Sequence, residues 1–366
     1  MHPATGEELT QIDELATTGV WLVALLAIAA IAVPAFWRVQ SAIRIRRAGE
    51  RPMHSTRVAL WRPAGRVDTL DLAAGPGGRD GAPLPPFTFV EEHLAGTRPC
   101  VSLRDARGRA WRVKWGDEVQ VEALATRLAW AAGYFVETTY FVRQGRLEGL
   151  RDLTRASSCF GEGGVFQNAR FELEEEMVIK HFDEHSWAWN DNPFIGTREL
   201  NGLKIVMMWL SNWDAKDVRD VARGSNTAVF EYPTRQGHRE ARYLITDWGG
   251  ALGRWGNVVN RGRWDCAGFT EQTPHFVEGV DGEFVRWGYS GQRTADIADG
   301  IRVSDVRWLV EHVGALKGSQ IGDAVRASGG TPDEIDCFTG ALTARLDQLR
   351  MVARGVRTFS RAIASN

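Results

Sequence analysis

Residues 211–217 read Ser-Asn-Trp-Asp-Ala-Lys-Asp, residues 243–250 read Tyr-Leu-Ile-Thr-Asp-Trp-Gly-Gly, and what joins them decides the fold. Between them run two strand-like segments, 226–232 and 242–246, separated by a polar turn at 233–240. In the first, apolar Ala228 and Phe230 alternate with Thr227 and Val229; Tyr243, Leu244 and Ile245 dominate the second. A hairpin of these strands brings Asp214 and Asp247 to the same end of a small sheet. Two carboxylates so placed, with Lys216 beside the first, suit a reaction on a magnesium-bound phosphate. One orients an attacking hydroxyl, the other holds the metal, and the lysine offsets charge on the transferred phosphoryl group. A surface hairpin flanked by solvated carboxylates accounts for the same residues without any chemistry.

Asp214-Ala215-Lys216, the hairpin and Asp247-Trp248-Gly249 resemble, in order and spacing, two motifs of the protein-kinase-like superfamily: its catalytic loop and its metal-binding Asp-Phe-Gly. The looser surroundings look like the atypical HipA-like and CotH-like branches. The resemblance implies an α+β, two-lobed protein-kinase-like fold, with a small β-sheet lobe plus one helix and a larger, mainly helical lobe. It also implies ATP as donor, magnesium as cofactor, Asp214 and Lys216 as catalytic residues and Asp247 as a metal ligand. The chain departs from the pattern where the family has a metal-binding Asn five residues beyond the catalytic Asp: Arg219 stands there. Asp217, Asp220 or Asn226 could supply that oxygen instead.

Upstream, 87–94, 100–104 and 110–115 read as strands. Trp111, Val113 and Trp115 share one face of the third, and Arg112 and Lys114 share the other. A helix follows from Gly116-Asp117 to Gly133, with Asp117 as its cap and Glu122 one turn in. The resemblance assigns Lys114 to the nucleotide phosphates, Glu122 (or else Glu118) to holding that lysine, and Gly96 to what remains of a glycine-rich loop. A solvated lysine on an edge strand and a surface glutamate on an amphipathic helix are the plainer alternatives. Strands at 134–144, 165–172 and 177–182 complete the lobe. The stretch 183–192, with Trp187 and Trp189, falls where a hinge between lobes belongs and where an adenine could pack. His181, Glu184 and His185 match an HxxEH metal pattern but straddle a strand end, where the two histidines do not converge.

Further on, a helix at 197–213 is capped by Thr197 and carries Leu200, Leu203, Met207 and Leu210 on one stripe. Two strands, 274–279 and 283–289, turn at Asp281-Gly282. Ser304 opens a helix reaching Leu316. Thr331-Pro332-Asp333-Glu334 is a capping box, followed by the stripe Ile335, Phe338, Leu342, Leu346 and Leu349.

The charge balance, 44 basic against 46 acidic residues, excludes a general nucleic-acid footprint. Four scattered cysteines with no CxxC pair suggest buried thiols, neither a disulfide framework nor a zinc ribbon. Residues 19–37 form an apolar run long enough to cross a bilayer. Glu7, Glu8, Asp13 and Glu14 precede it, and Arg38, Arg44, Arg46, Arg47 and Arg51 follow. The asymmetry predicts a single-pass inner-membrane anchor in contact with the lipid bilayer, with the C-terminal domain cytoplasmic. The alternative is a cleaved signal peptide and a secreted or periplasmic protein, although a signal peptide carries its positive charge before the apolar run. The chain then divides into a tail (1–16), a transmembrane helix (17–37), a basic juxtamembrane segment and linker (38–86), a small lobe (87–185) and a large lobe (186–366). Gly75-Pro76-Gly77-Gly78 and the prolines after it read as flexible tether. The function expected is phosphoryl transfer from a nucleotide to an acceptor, protein or small molecule. A pseudokinase scaffold, or transfer of the nucleotidyl part by the same residues, is the alternative.

Overall fold

The computed structural model describes the chain from Arg57 onward, except residues 97, 183–185, 215–225, 236, 257–260, 293 and 360–366. The chain divides into Met1–Met53 and His54–Asn366. The expected membrane helix, the basic segment after it, Lys216, Asp217, Arg219 and Asp220 all lie outside the described residues, as do Glu184 and His185. Among the described residues no helix is long and apolar enough to cross a membrane.

Strand β1 (Arg57–Ala59) opens the described chain, and a single 3-10 turn follows at Val67–Thr69. Residues 57–86 are not a tether. Leu60, Val67 and Leu72 are buried, and the Tyr140 hydroxyl donates to the Gly78 carbonyl at 2.7 Å. Two of the glycines that suggest flexibility are there for close approach: a Cβ on Gly77 would lie 2.1 Å from the Tyr140 oxygen, and one on Gly81 2.5 Å from it.

The strands β2 (Phe87–Glu92), β3 (Cys100–Arg104) and β4 (Ala110–Lys114) lead to helix α1 (Val119–Ala131), then to β5 (Thr139–Glu148) and β6 (Val165–Leu173). They close a barrel in the order β2-β3-β4-β6-β5, with β2 returning to β5 in parallel at Phe87↔Leu147. The alternation of β4 explains the closure. Trp111 and Val113 are fully buried with Leu103, Phe166 and Phe171 inside the barrel, so Arg112 and Lys114 face the other way. Asp117 does not cap α1; it pairs with Arg98 instead.

The second half contains β7 (Ile179–His181), helix α2 (Arg198–Trp209) and the hairpin β8 (Thr227–Pro233) and β9 (Arg239–Ile245). Thr197 caps α2 by accepting from the Leu200 amide at 3.2 Å. The sheet order is β1-β9-β8-β7, with β1 lying parallel on β9 at the edge. Then come α3 (Cys266–Gln272), β10 (Val277–Asp281), β11 (Phe284–Trp287), α4 (Thr294–Ala298), α5 (Val303–Val313), α6 (Gly318–Ala327) and α7 (Pro332–Ala353). The expected capping box at α7 is present: the Thr331 amide donates to Glu334 at 2.8 Å, and the Glu334 amide to the Thr331 hydroxyl at 3.4 Å. The segment after Arg302 differs. There the Arg302 amide donates to Asp305 at 2.9 Å, which places Ser304 inside α5, not at its cap.

A core of α2, α5, α6 and α7 buries Trp209, Leu309, Phe338 and Leu342. Trp187 and Trp189 belong to it too, and the Trp187 indole donates to the Leu244 carbonyl at 3.2 Å. Those tryptophans are therefore packed away and offer no face to an adenine. Cys266 and Cys337 form a disulfide between α3 and α7, against the expectation of buried thiols; Cys100 and Cys159 are free. Partners 71 residues apart leave no spacing signal from which to read the pair. The fold is mixed α+β.

Candidate active site

Helix α2 ends in a tight descent that carries the chain to Asp214. Arg345, on α7 and almost fully buried, holds this corner. Its guanidinium donates to the Trp209 carbonyl at 2.9 Å, the Ser211 hydroxyl at 2.8 Å and the Phe269 carbonyl at 2.8 Å. It thereby satisfies carbonyls that a helix end leaves unpaired. Ser211 takes φ 48°, the turn that sends the chain out of the helix line.

Asn212 then ties the two aspartates together. Its Oδ1 accepts from the Asp214 amide at 3.3 Å and its Nδ2 donates to the Asp247 carbonyl at 3.2 Å. The Trp213 amide donates to the Gly250 carbonyl at 2.9 Å. Gly250 has to be glycine, because a Cβ there would sit 2.7 Å from that of Asp214. The Asp214 carboxylate accepts from Gln292 Nε2 at 2.9 Å. Asp247 Oδ1 accepts from the Gly249 amide at 2.8 Å, and Trp248 beside it is buried in the core.

Asn226 stands at the head of β8 with φ 55°, a left-handed conformation that asparagine tolerates. Its carbonyl accepts from the Thr246 amide at 2.9 Å, one residue before Asp247, and its Nδ2 donates to the Asp214 carbonyl at 2.6 Å. Asn226 thus joins the two aspartates from the strand side.

Asp214, Asp247, Lys114 and Gly96 line one cleft of about 550 Å³, together with Arg98, Arg112, Glu118 and Arg263. Lys114 Nζ lies 3.8 Å from Glu122 Oε1. Glu122 is buried, and its other oxygen lies 2.7 Å from Arg170. Arg170 also reaches Glu172 at 2.6 Å, and Lys180 continues the chain of charges to Glu172 at 3.4 Å and Glu137 at 2.9 Å. Burial pushes the Glu122 carboxyl up, opposed by Arg170 and then by Lys114. Burial and then Glu172 push Glu137 up to about 7. At the mouth of the cleft, Glu118 lies 3.1 Å from Arg263 and 3.6 Å from Arg98.

The structure therefore brings together Lys114, Glu122, Gly96, Asp214, Asn226 and Asp247, while Lys216 and Asp217 lie outside the described residues. Among the described residues no group of three His, Cys, Asp or Glu side chains converges to hold a metal ion. His181 is instead 2.6 Å from Glu231 and buried. Sequence reasoning missed Asn212, Gln292, Arg170 and Arg345. Asn212 carried a signal, two residues before Asp214 in the opening motif. Arg170 and Glu172 carried another: charges on the strand face opposite Phe171. Gln292 and Arg345 carried none.

No family model and no curated protein sequence matches the chain. Among solved structures it is similar to the proinflammatory kinase CtkA of Helicobacter pylori, at 9% identity and a TM-score of 0.41, covering 73% of this chain and 96% of that one. It is similar also to the Golgi casein kinase, at 9% identity and a TM-score of 0.33, covering 81% and 76%. A likeness this loose carries no functional argument.

Proposed function

We propose that the protein is a kinase-like phosphotransferase that moves a phosphoryl group from ATP to a hydroxyl-bearing acceptor. The observation that carries the reading is the meeting of Asp214, Asp247 and Lys114 in one cleft, with buried Glu122 behind the lysine. The donor set suits magnesium. One carboxylate of Asp247 and the amide oxygen of Asn226 are hard oxygen ligands, and magnesium is ordinarily held by one or two such groups plus phosphates. When bound there, magnesium offsets charge on the phosphates.

The chain's own residues supply the rest. Asp214, oriented by Gln292 and by the Asn212 bridge, takes the acceptor's hydroxyl proton. Lys114 binds phosphate oxygens, and the Glu122 carboxylate restricts where its ammonium can swing. Lys216, two residues beyond Asp214, is assigned to the transferred group from the resemblance alone. Asn226 takes the metal-ligand role for which Arg219 is unsuited, so the spacing departure is an insertion of seven residues, Asn226 standing twelve beyond Asp214 where the family has five, rather than a lost ligand.

Placement is part of the proposal. The apolar run at 19–37 is taken as the bilayer anchor. The Cys266–Cys337 bond supports an oxidising compartment for the folded domain, because such bonds persist outside the cytoplasm. The arginines after residue 37 support the opposite side, and of the two the covalent bond weighs more here.

The test is transfer of label from γ-labelled ATP, with magnesium, in the full-length chain and in Asp214→Asn and Asp247→Asn. Labelling in the wild type, lost in both variants, is expected. Magnesium-dependent ATP binding without transfer in the wild type would sink the enzyme and leave a pseudokinase.

A further inference from the structure

A planar base is held by apolar or aromatic faces on either side of it, with a few polar groups to orient it. The cleft offers little of this among its described residues. Apart from charged groups and glycines, its lining consists of His93, Ala95 and Cys100, and the His93 imidazole is tied to the Ser102 hydroxyl at 2.6 Å. Trp187 and Trp189 are buried in the helical core. On β4, the residue that shares Lys114's face two positions earlier is Arg112, half-buried against the cleft. Its Nε is buried without a hydrogen-bond partner, and its ion-pair contact to Glu174 is 3.9 Å long.

The charges run the other way. Arg98, Arg112, Lys114 and Arg263 all line the cleft. Asp117 and Glu118 offset the charge of Arg98 and Arg263, and Asp214 and Asp247 are taken up by the chemistry, which leaves Arg112 and Lys114 on β4 as the cations turned to a ligand. Guanidinium and ammonium groups lining one cleft suit the oxygens of a phosphate chain, a guanidinium binding them in forked pairs.

Resting on the phosphotransfer reading, we infer that this cleft recognises its donor by the polyphosphate chain and not by the base. The substrate class is a compound bearing a phosphoanhydride chain: a nucleoside triphosphate of any base, or inorganic polyphosphate. The reaction balances in either case. The acceptor oxygen forms the new bond to the terminal phosphorus, the bridging oxygen leaves with the electron pair of the broken bond, and the acceptor's proton passes to Asp214. The shortened chain is the second product.

The experiment is calorimetric titration of the full-length chain, with magnesium, by ATP, CTP and tripolyphosphate separately. The three dissociation constants are expected to agree within about fivefold. A sandwiched base would favour ATP over tripolyphosphate by roughly 5- to 150-fold, so a preference above about fivefold overturns the inference and leaves phosphotransfer standing. Failure of all three to bind overturns phosphotransfer itself. Arg112→Ala is expected to weaken all three by a common factor. A loss for ATP and CTP with tripolyphosphate unaffected would set the arginine against a base and overturn the inference.

Discussion

Arg170 lies 2.7 Å from Glu122, whereas Lys114 approaches the same carboxylate only to 3.8 Å. The glutamate behind the lysine is therefore fixed from the barrel by a buried cation, and the lysine comes to a carboxylate already in place. Removing one partner of a buried pair leaves the other charged and unpaired. Arg170→Met should cost about 3–5 kcal/mol of unfolding free energy, measured by urea titration. Lys114→Ala, at a third-exposed position, should cost under about 1 kcal/mol while abolishing phosphate binding. Equal costs for the two variants would mean the network is not organised around Arg170.

Gly250 offers a test of how Asp214 is aimed. A methyl group there would meet the Asp214 Cβ at 2.7 Å and Asn212 Oδ1 at 3.0 Å. Gly250→Ala should leave the fold intact and lower turnover by roughly a hundredfold, the cost of a displacement of about 1 Å in a reacting group. Circular dichroism and the labelling rate separate the two effects. Unchanged turnover would remove Asp214 from the reaction.

Much of this could be read in the sequence, and the reason is local. Strand alternation at Trp111, Val113 and Trp115 fixed which way Lys114 points, and the hairpin between Asn226 and Thr246 fixed that Asp214 and Asp247 meet. Those features are set by neighbours a few residues apart. The hydrogen bond from Gln292 to Asp214 and the grip of Arg345 on the end of α2 join positions 78 and 136 residues apart, so only the folded chain reveals them. Composition misled at 75–86, where Gly77 and Gly81 serve close packing against Tyr140, not freedom.

Acidity should be felt through Glu137. Burial and the neighbouring Glu172 raise its carboxyl to about 7 in the folded protein, so the folded state holds a proton that the unfolded chain releases at ordinary carboxylate pH. Its contribution is fully present below about pH 4.5 and is lost as pH rises through about 7. Between those limits the unfolding free energy should decline from this group, and Glu137→Gln should flatten the slope by up to one proton. A slope identical in the two proteins would mean that Lys180 keeps Glu137 ionised throughout.

The disulfide predicts both a stability and a location. A cross-link between residues 71 apart restricts the unfolded chain by about 4 kcal/mol, and Cys337→Ser should lose much of that in urea titration. Alkylation of whole cells quenched directly into denaturant, without reductant, should modify Cys100 and Cys159, which are free thiols, and spare Cys266 and Cys337 until reductant is added. Modification of all four without reductant would return the domain to the cytoplasmic side.

Strand β1 has a consequence for anyone who shortens this protein. It covers the outer edge of β9, the strand that leads to Asp247, through the pairs Arg57↔Glu240, Val58↔Ala241 and Ala59↔Arg242. Beginning the polypeptide at Phe87, where composition suggests a domain starts, would strip that cover and remove Leu60, Val67 and Leu72 from the interior. The bared row of amides and carbonyls would then be a template for another molecule's strand. A chain cut at His54 keeps the edge closed; one cut at Phe87 should aggregate, and an insoluble fragment would say nothing about whether the cleft works.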